Sequence, residues 1–192
     1  MNRTDICNLA LDHLREAPIG HIDADGSVSE WFQRNFDAVL DGVLRDHPWN
    51  FAITRASIAV DGTAPDFGWT YRYALPTDCV RLLQIRSDGY LNGAPVEHEI
   101  EGEYILTNAP TPLKIRYIKT MSDPSKWDAL FVEAMAAALA LKMSHWLTGK
   151  TSYVQMAKAL YDEALAKAKR IDGMEGTPEA IYADDVIGVR YV

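Results

Sequence analysis

Apolar residues recur every three or four positions from Thr4 to Ala17, where Ile6, Leu9, Ala10, His13, Leu14 and Ala17 share one face. This spacing predicts a helix with Thr4 as its N-cap and Pro18 and Gly20 as its stop. After the polar loop Asp23-Ala24-Asp25-Gly26, Ser27 and Glu30 stand at capping-box spacing. Behind them Trp31, Phe32, Asn35, Phe36, Val39, Leu40, Val43 and Leu44 form a wide apolar stripe, a second helix that Pro48 ends.

From Phe51 to Ile118 the period shortens to two. Ile53, Arg55, Ser57, Ile58 and Val60 predict a strand that stops at the turn signal Asp61-Gly62-Thr63-Ala64-Pro65-Asp66. Alternation over 69–75 and 80–86 predicts two more strands. Tyr90-Leu91 and 96–99 flank Asn92-Gly93-Ala94-Pro95, and 103–107 and 113–119 flank Asn108-Ala109-Pro110-Thr111-Pro112, as short strands flank tight turns. One small mixed or antiparallel sheet is the expected product.

The helical period then returns. After Asp123-Pro124 a helix is predicted over 125–147, with Trp127, Leu130, Phe131, Ala134, Ala138, Leu141 and His145 near one face and Gly149 as its end. A fourth, over 152–171, sets Tyr153, Met156, Ala157, Leu160, Ala164, Ala168 and Ile171 opposite Lys158, Asp162 and Lys169. Each helical pair has an apolar face too large to leave wet, at roughly 25 cal/mol per Å2 buried. The expected fold is therefore α+β: a four-helix bundle from residues 1–50 and 120–172, a β-rich insertion lobe over 51–119, and an extended tail over 173–192. Trp49, Phe51 and Trp69 are the expected joint between the lobes. In the tail, Ile187, Val189 and Tyr191 alternate up to Val192, a pattern that suits strand addition to a neighbouring subunit or to another protein.

Composition narrows the chemistry. The 192 residues are 48% apolar and 24% charged, as in ordinary globular proteins. The longest apolar run, near Leu130 to Leu141, holds Glu133 and falls short of the roughly 20 residues that span a bilayer. Met1-Asn2-Arg3-Thr4-Asp5 lacks a basic and apolar leader pattern, which predicts a protein made and kept in a cytosol. The net charge of -8 argues against a grip on a phosphate backbone, although it suits a duct wall past which DNA must slide. Cys7 and Cys79 match no redox or zinc spacing and read as small buried hydrophobes.

No metal or cofactor is expected. His13, His21, His47, His98 and His145 are scattered, and the acids at 23–25 and 184–185 lack a calcium-loop pattern. Among the acids Asp66, Asp78, Glu97, Glu99, Glu101 and Glu103, a carboxylate pair for glycoside hydrolysis is conceivable in type, but nothing selects one. No nucleophile or phosphate-loop motif accompanies them, so the reading is of a protein that is not an enzyme.

Three segments carry a family resemblance. Arg45-Asp46-His47-Pro48-Trp49-Asn50-Phe51-Ala52, then Tyr71-Arg72-Tyr73-Ala74-Leu75-Pro76-Thr77-Asp78-Cys79-Val80-Arg81, and then Ile115-Arg116-Tyr117-Ile118 ahead of Trp127-Asp128 stand in fixed order. Over roughly residues 4–172 the chain resembles the tail tubular protein A family of short-tailed bacteriophages, the head-to-tail adaptors or gatekeepers. The resemblance implies a structural virion protein at the head-tail junction, present in the host cytoplasm during assembly. It implies a homo-oligomeric ring, usually of twelve copies, between portal protein and tail nozzle protein, with DNA passing through the lumen without sequence-specific binding and with no membrane. The alternatives are a cytoplasmic dimeric binding module and a glycan-hydrolysing tail enzyme.

Overall fold

Four helices and two small antiparallel sheets make up a mixed α and β fold in the computed structural model, which describes residues 1–86 and 96–175. Helix α1 spans Arg3–Leu14 and α2 spans Ser27–Asp46. A single 3-10 turn, Asn50–Ala52, leads into β1 (Ile53–Ile58), followed by β2 (Tyr71–Ala74), β3 (Cys79–Arg86), β4 (His98–Glu101), β5 (Tyr104–Thr107) and β6 (Leu113–Lys119). Helices α3 (Ala129–Thr148) and α4 (Thr151–Met174) complete the described chain.

The ends of the helices differ from the sequence expectation for identifiable reasons. The capping box of α1 lies two residues upstream of Thr4, where the side chain of Asn2 accepts from the Asp5 N–H and Asp5 accepts from the Asn2 N–H. Thr4 is instead buried, its Oγ1 accepting from the Ile22 N–H. Helix α1 stops at Leu14, short of Ala17, because Arg15 turns into the left-handed region at φ 60° and its N–H closes on the Asp12 carbonyl. Ser27 does not cap α2. Gly26, at φ 134°, stands one residue ahead of it and offers no side chain, so the expected Ser27–Glu30 box is absent. Helix α3 begins at Ala129, where the Asp128 carboxylate accepts from the Leu130 and Phe131 N–H groups, and ends at Gly149 with φ 63° as expected.

Helix α3 is the centre of the helical part. It packs against α1, α2 and α4, so from Phe131 to Ala140 every residue except Glu133 is buried, on all sides of the helix. The single-face expectation was too narrow, because three neighbours surround this helix and small side chains let them approach. By length and composition alone α3 is also apolar enough to cross a membrane, unlike the shorter run read in the sequence. In the fold, 61% of its apolar window is buried inside the protein.

The β residues form two sheets where one was expected. Sheet one has the order β1-β6-β3 and sheet two the order β2-β5-β4, every pairing antiparallel. Strand β6 sits in the middle of sheet one and is buried on both sides at its end: Ile118 joins the helical core, while Tyr117, Ile115 and Leu113 join Tyr73 and Ile105 in a second core between the sheets. Sheet one thus meets the helices at the Ile118 end of β6 and through Val80 and Leu83 of β3, and sheet two on its other face. Expected strand positions at Tyr90-Leu91 and the turn at 92–95, like most of the tail, lie outside the described residues.

Candidate functional site

Where the chain leaves the helices for the sheets, and where it returns, the two crossings are built alike. Pro48 forbids helical backbone at His47, which is extended at φ -149° and ψ 148°, so α2 ends there. Trp49 then folds back and its indole Nε1 donates to the Val43 carbonyl at 2.9 Å, satisfying an acceptor that the end of α2 leaves open. On the return, Trp127 donates from Nε1 to the Met121 carbonyl at 2.8 Å, again six residues earlier. Both indoles meet the ring of Phe131 edge-on, at centroid distances of 5.0 Å from Trp49 and 5.2 Å from Trp127. Phe51 meets the same ring at 4.8 Å, and Phe36 of α2 stacks on Trp127 at 6.4 Å.

Polar contacts lock the aromatic group from the side. Asp172, in the last turn of α4, is buried and accepts from the Asn50 N–H at 3.0 Å and from His47 Nε2 at 2.9 Å. That contact fixes a proton on Nε2 of His47, since the carboxylate can only accept. The side chain of Asn50 donates to the Asp172 carbonyl at 2.6 Å. A carboxylate at a helix C-terminus is disfavoured by the helix dipole, and these donors are what offset it. Helix α2 is also stitched to β3, with Arg45 donating to the Val80 carbonyl at 2.5 Å and Arg81 to the Arg45 carbonyl at 2.9 Å.

Beside β3, the Asp78 carboxylate accepts from the Tyr117 hydroxyl at 3.0 Å and pairs with Lys119 at 3.3 Å. Burial, followed by the hydrogen bond and the charge of Asp78, pushes the Tyr117 phenol from 10.0 up to about 12. A phenol that titrates later in the fold than in the unfolded chain stabilises fully below pH 10 and loses that contribution as pH rises towards 12. Urea unfolding midpoints are therefore expected to fall across that window, and to fall less in Tyr117→Phe; equal slopes for both proteins exclude Tyr117 as a source.

No model of a known protein family matches the chain, and neither does any curated protein.

The residues singled out in the sequence divide. Trp49 and Phe51 meet around Phe131, whereas Trp69 sits by sheet two, its indole 3.2 Å from the Glu99 carboxylate. Ile187, Val189, Tyr191 and Val192 lie outside the described residues. Asp66, Glu99 and Glu101 line one cleft with Trp69, Glu103 lines another with Arg81 and Ile100, and Asp78 is committed to Tyr117 and Lys119. Cys7 is buried in the helical core and its thiol is pushed up to about 12 by that burial; Cys79, half-buried, is shifted in the same direction. Among the described residues no three His, Cys, Asp or Glu side chains are grouped to hold a metal ion.

Sequence reasoning missed Asp172, Asn50 and Phe131 as the residues that tie the joint. Expecting α4 to stop at Ile171 put Asp172 outside the helix. An acid in the final helical turn, against the dipole, was the available signal.

Proposed function

We propose that this chain is a head-to-tail adaptor of a short-tailed phage or prophage particle, acting by shape and contact. The observation that supports it is convergence. The segments bearing the resemblance, 45–52, 71–81, 115–118 and 127–128, lie far apart in sequence yet meet: Arg45 with Val80 and Arg81, Trp49 and Trp127 with Phe131, Tyr117 with Asp78. That the residues bearing the resemblance also build one joint is what supports reading them as a single architectural unit. In this reading the helices are a four-helix bundle of residues 1–50 and 120–172, and residues 51–119 are the β-rich lobe it carries.

The adaptor assembles as a ring, of twelve copies by the resemblance, between portal protein and tail nozzle protein. It extends the DNA channel, and a net charge of -8 on each copy keeps the passing backbone from being held by the ring as a whole. The deciding measurement is mass by light scattering or native mass spectrometry, for the protein alone and mixed with the portal of its own particle. A cyclic assembly in either sample supports the adaptor. A monomer or dimer indifferent to the portal overturns it, and the dimer favours a small binding module. Deleting residues 183–192 is expected to weaken the ring or its docking; an unchanged complex removes the tail from the interface.

A further inference from the structure

The two sheets stack on each other through Tyr73, Ile105, Leu113, Ile115 and Tyr117, which leaves each sheet a second, outer face; on sheet one the helices cover that face only at its Ile118 end. Those faces differ in charge. The strands of sheet one hold Arg55, Arg81, Arg86, Lys114, Arg116 and Lys119 and no Asp or Glu, in a chain whose net charge is -8. Register sets Arg55 on β1 beside Arg116 on β6 and Gln84 on β3, and the next row is Ser57, Lys114 and Arg86. Strand alternation turns both rows away from Ala56, Ile115 and Ile85, which lie in the core between the sheets. Arg55, Ser57 and Lys114 are exposed. Arg116 is half-buried between them, its Nε and the Gln84 Oε1 turned in against the sheet.

Sheet two presents the opposite character. Every residue of β4 is exposed, and Glu99 and Glu101 stand beside Leu106 and Tyr104 of β5 on the outer side. The cation on that face, Arg72, is already committed, paired with Asp61 at 3.0 Å and lying over the Tyr104 ring. A cleft of about 490 Å3 opens there, and on its rim Phe67 is 87% exposed.

We propose that the outer face of sheet one on one copy seats against the outer face of sheet two on the next copy. Arg55 and Arg116 meet the carboxylates of Glu99 and Glu101, and Phe67 supplies the apolar ring on which a guanidinium lies. Guanidinium groups suit this role because their planar donors match carboxylates in pairs and also stack on aromatic faces. The two faces belong to different sheets, so the contact is head-to-tail. Contacts of that kind repeat from copy to copy and close into a ring when the rotation permits. The inference deepens the adaptor reading and rests on it for the ring, although the contact itself is a statement about two copies of this chain.

The test mixes isotope-labelled and unlabelled full-length protein at high concentration and low salt, adds a carbodiimide that joins amines to carboxylates in contact, and maps the products by mass spectrometry. The expected product is a mixed-isotope link from Lys114 to the peptide carrying Glu99 and Glu101. It should be lost at high salt, and in both Arg55→Glu/Arg116→Glu and Glu99→Arg/Glu101→Arg, each checked for unchanged circular dichroism. Mixing the two variants should restore association, which falls by about tenfold or more in each alone. No intermolecular link in the wild type, or links that persist equally in both variants, overturns the proposal.

Failure of the adaptor reading is seen separately. A ring with portal that both variants form normally keeps the adaptor and discards this interface; a wild type that ignores the portal discards the adaptor while the crosslink still decides the contact. Should a short DNA duplex bind the wild type and not Arg55→Glu/Arg116→Glu, with no link between copies, the basic face belongs to a polyanion and the proposal falls.

Discussion

Phe131→Ala is expected to destabilise the protein by about 4 kcal/mol, the largest effect of any single truncation at the joint. Deleting a fully buried phenyl ring loses its transfer free energy and leaves a cavity, together about 3–5 kcal/mol. Phe131 is 0% exposed, and three aromatic side chains lie against its ring, Trp49, Phe51 and Trp127, the two indoles each fixed by a hydrogen bond to a backbone carbonyl. Because both indoles are tied to carbonyls, the walls of the cavity have little freedom to collapse. For a chain of this size the melting temperature should drop by about 8–16 °C. Phe131→Leu keeps most of the volume and should cost less than half as much. Denaturant unfolding followed by tryptophan fluorescence measures both. A loss below about 1.5 kcal/mol for the alanine variant means that Phe131 is not the hub.

The second large effect is expected at Asp172. Replacing it with alanine leaves the Asn50 N–H and His47 Nε2 without their acceptor, and a buried donor left unsatisfied costs about 1–3 kcal/mol. Against this, removing a negative charge from the last turn of α4 gains about 0.3–1 kcal/mol from the helix dipole. The unmet donors win, and the net loss should be about 2 kcal/mol. Asp172→Asn retains one acceptor oxygen and should fall between the two. Equal stability of Asp172→Ala and wild type in urea would show that water replaces the carboxylate without penalty.

The helices were legible in the sequence because their signals are local. The stripe from Trp31 to Leu44, the stop at Pro48 and the end at Gly149 need nothing beyond neighbouring residues, and the body of α2 and the end of α3 stand where they put them, although α3 starts at Ala129 and not at 125. The division into two sheets was not legible. Strand periodicity says which side chains share a face, but pairing is decided by partners far away, so nothing in 103–107 or 113–119 announces that β5 joins β2 while β6 joins β1. Trp69 shows the same limit. An aromatic residue that follows two others at the start of a predicted strand reads as part of their cluster, yet it stands just ahead of β2 at the far sheet, where Glu99 holds its indole. The charge on sheet one is visible only after the register is known, because Arg55, Arg86 and Arg116 are scattered in the chain and neighbours in the ladder.

Ile53 and Ile118 are paired across the ladder of β1 and β6, so the chain departs from the helices and comes back at points about 5 Å apart. Between them, β3 is tied back to the helices, by Arg45 and Arg81 and by Val80 and Leu83 on the helical core. Sheet two has no such tie among its strands: it rests on sheet one through the second core. Turns of sheet two can therefore be lengthened or exchanged over generations without retuning the helices, while β1, β3 and β6 must keep the surface on which the helices sit.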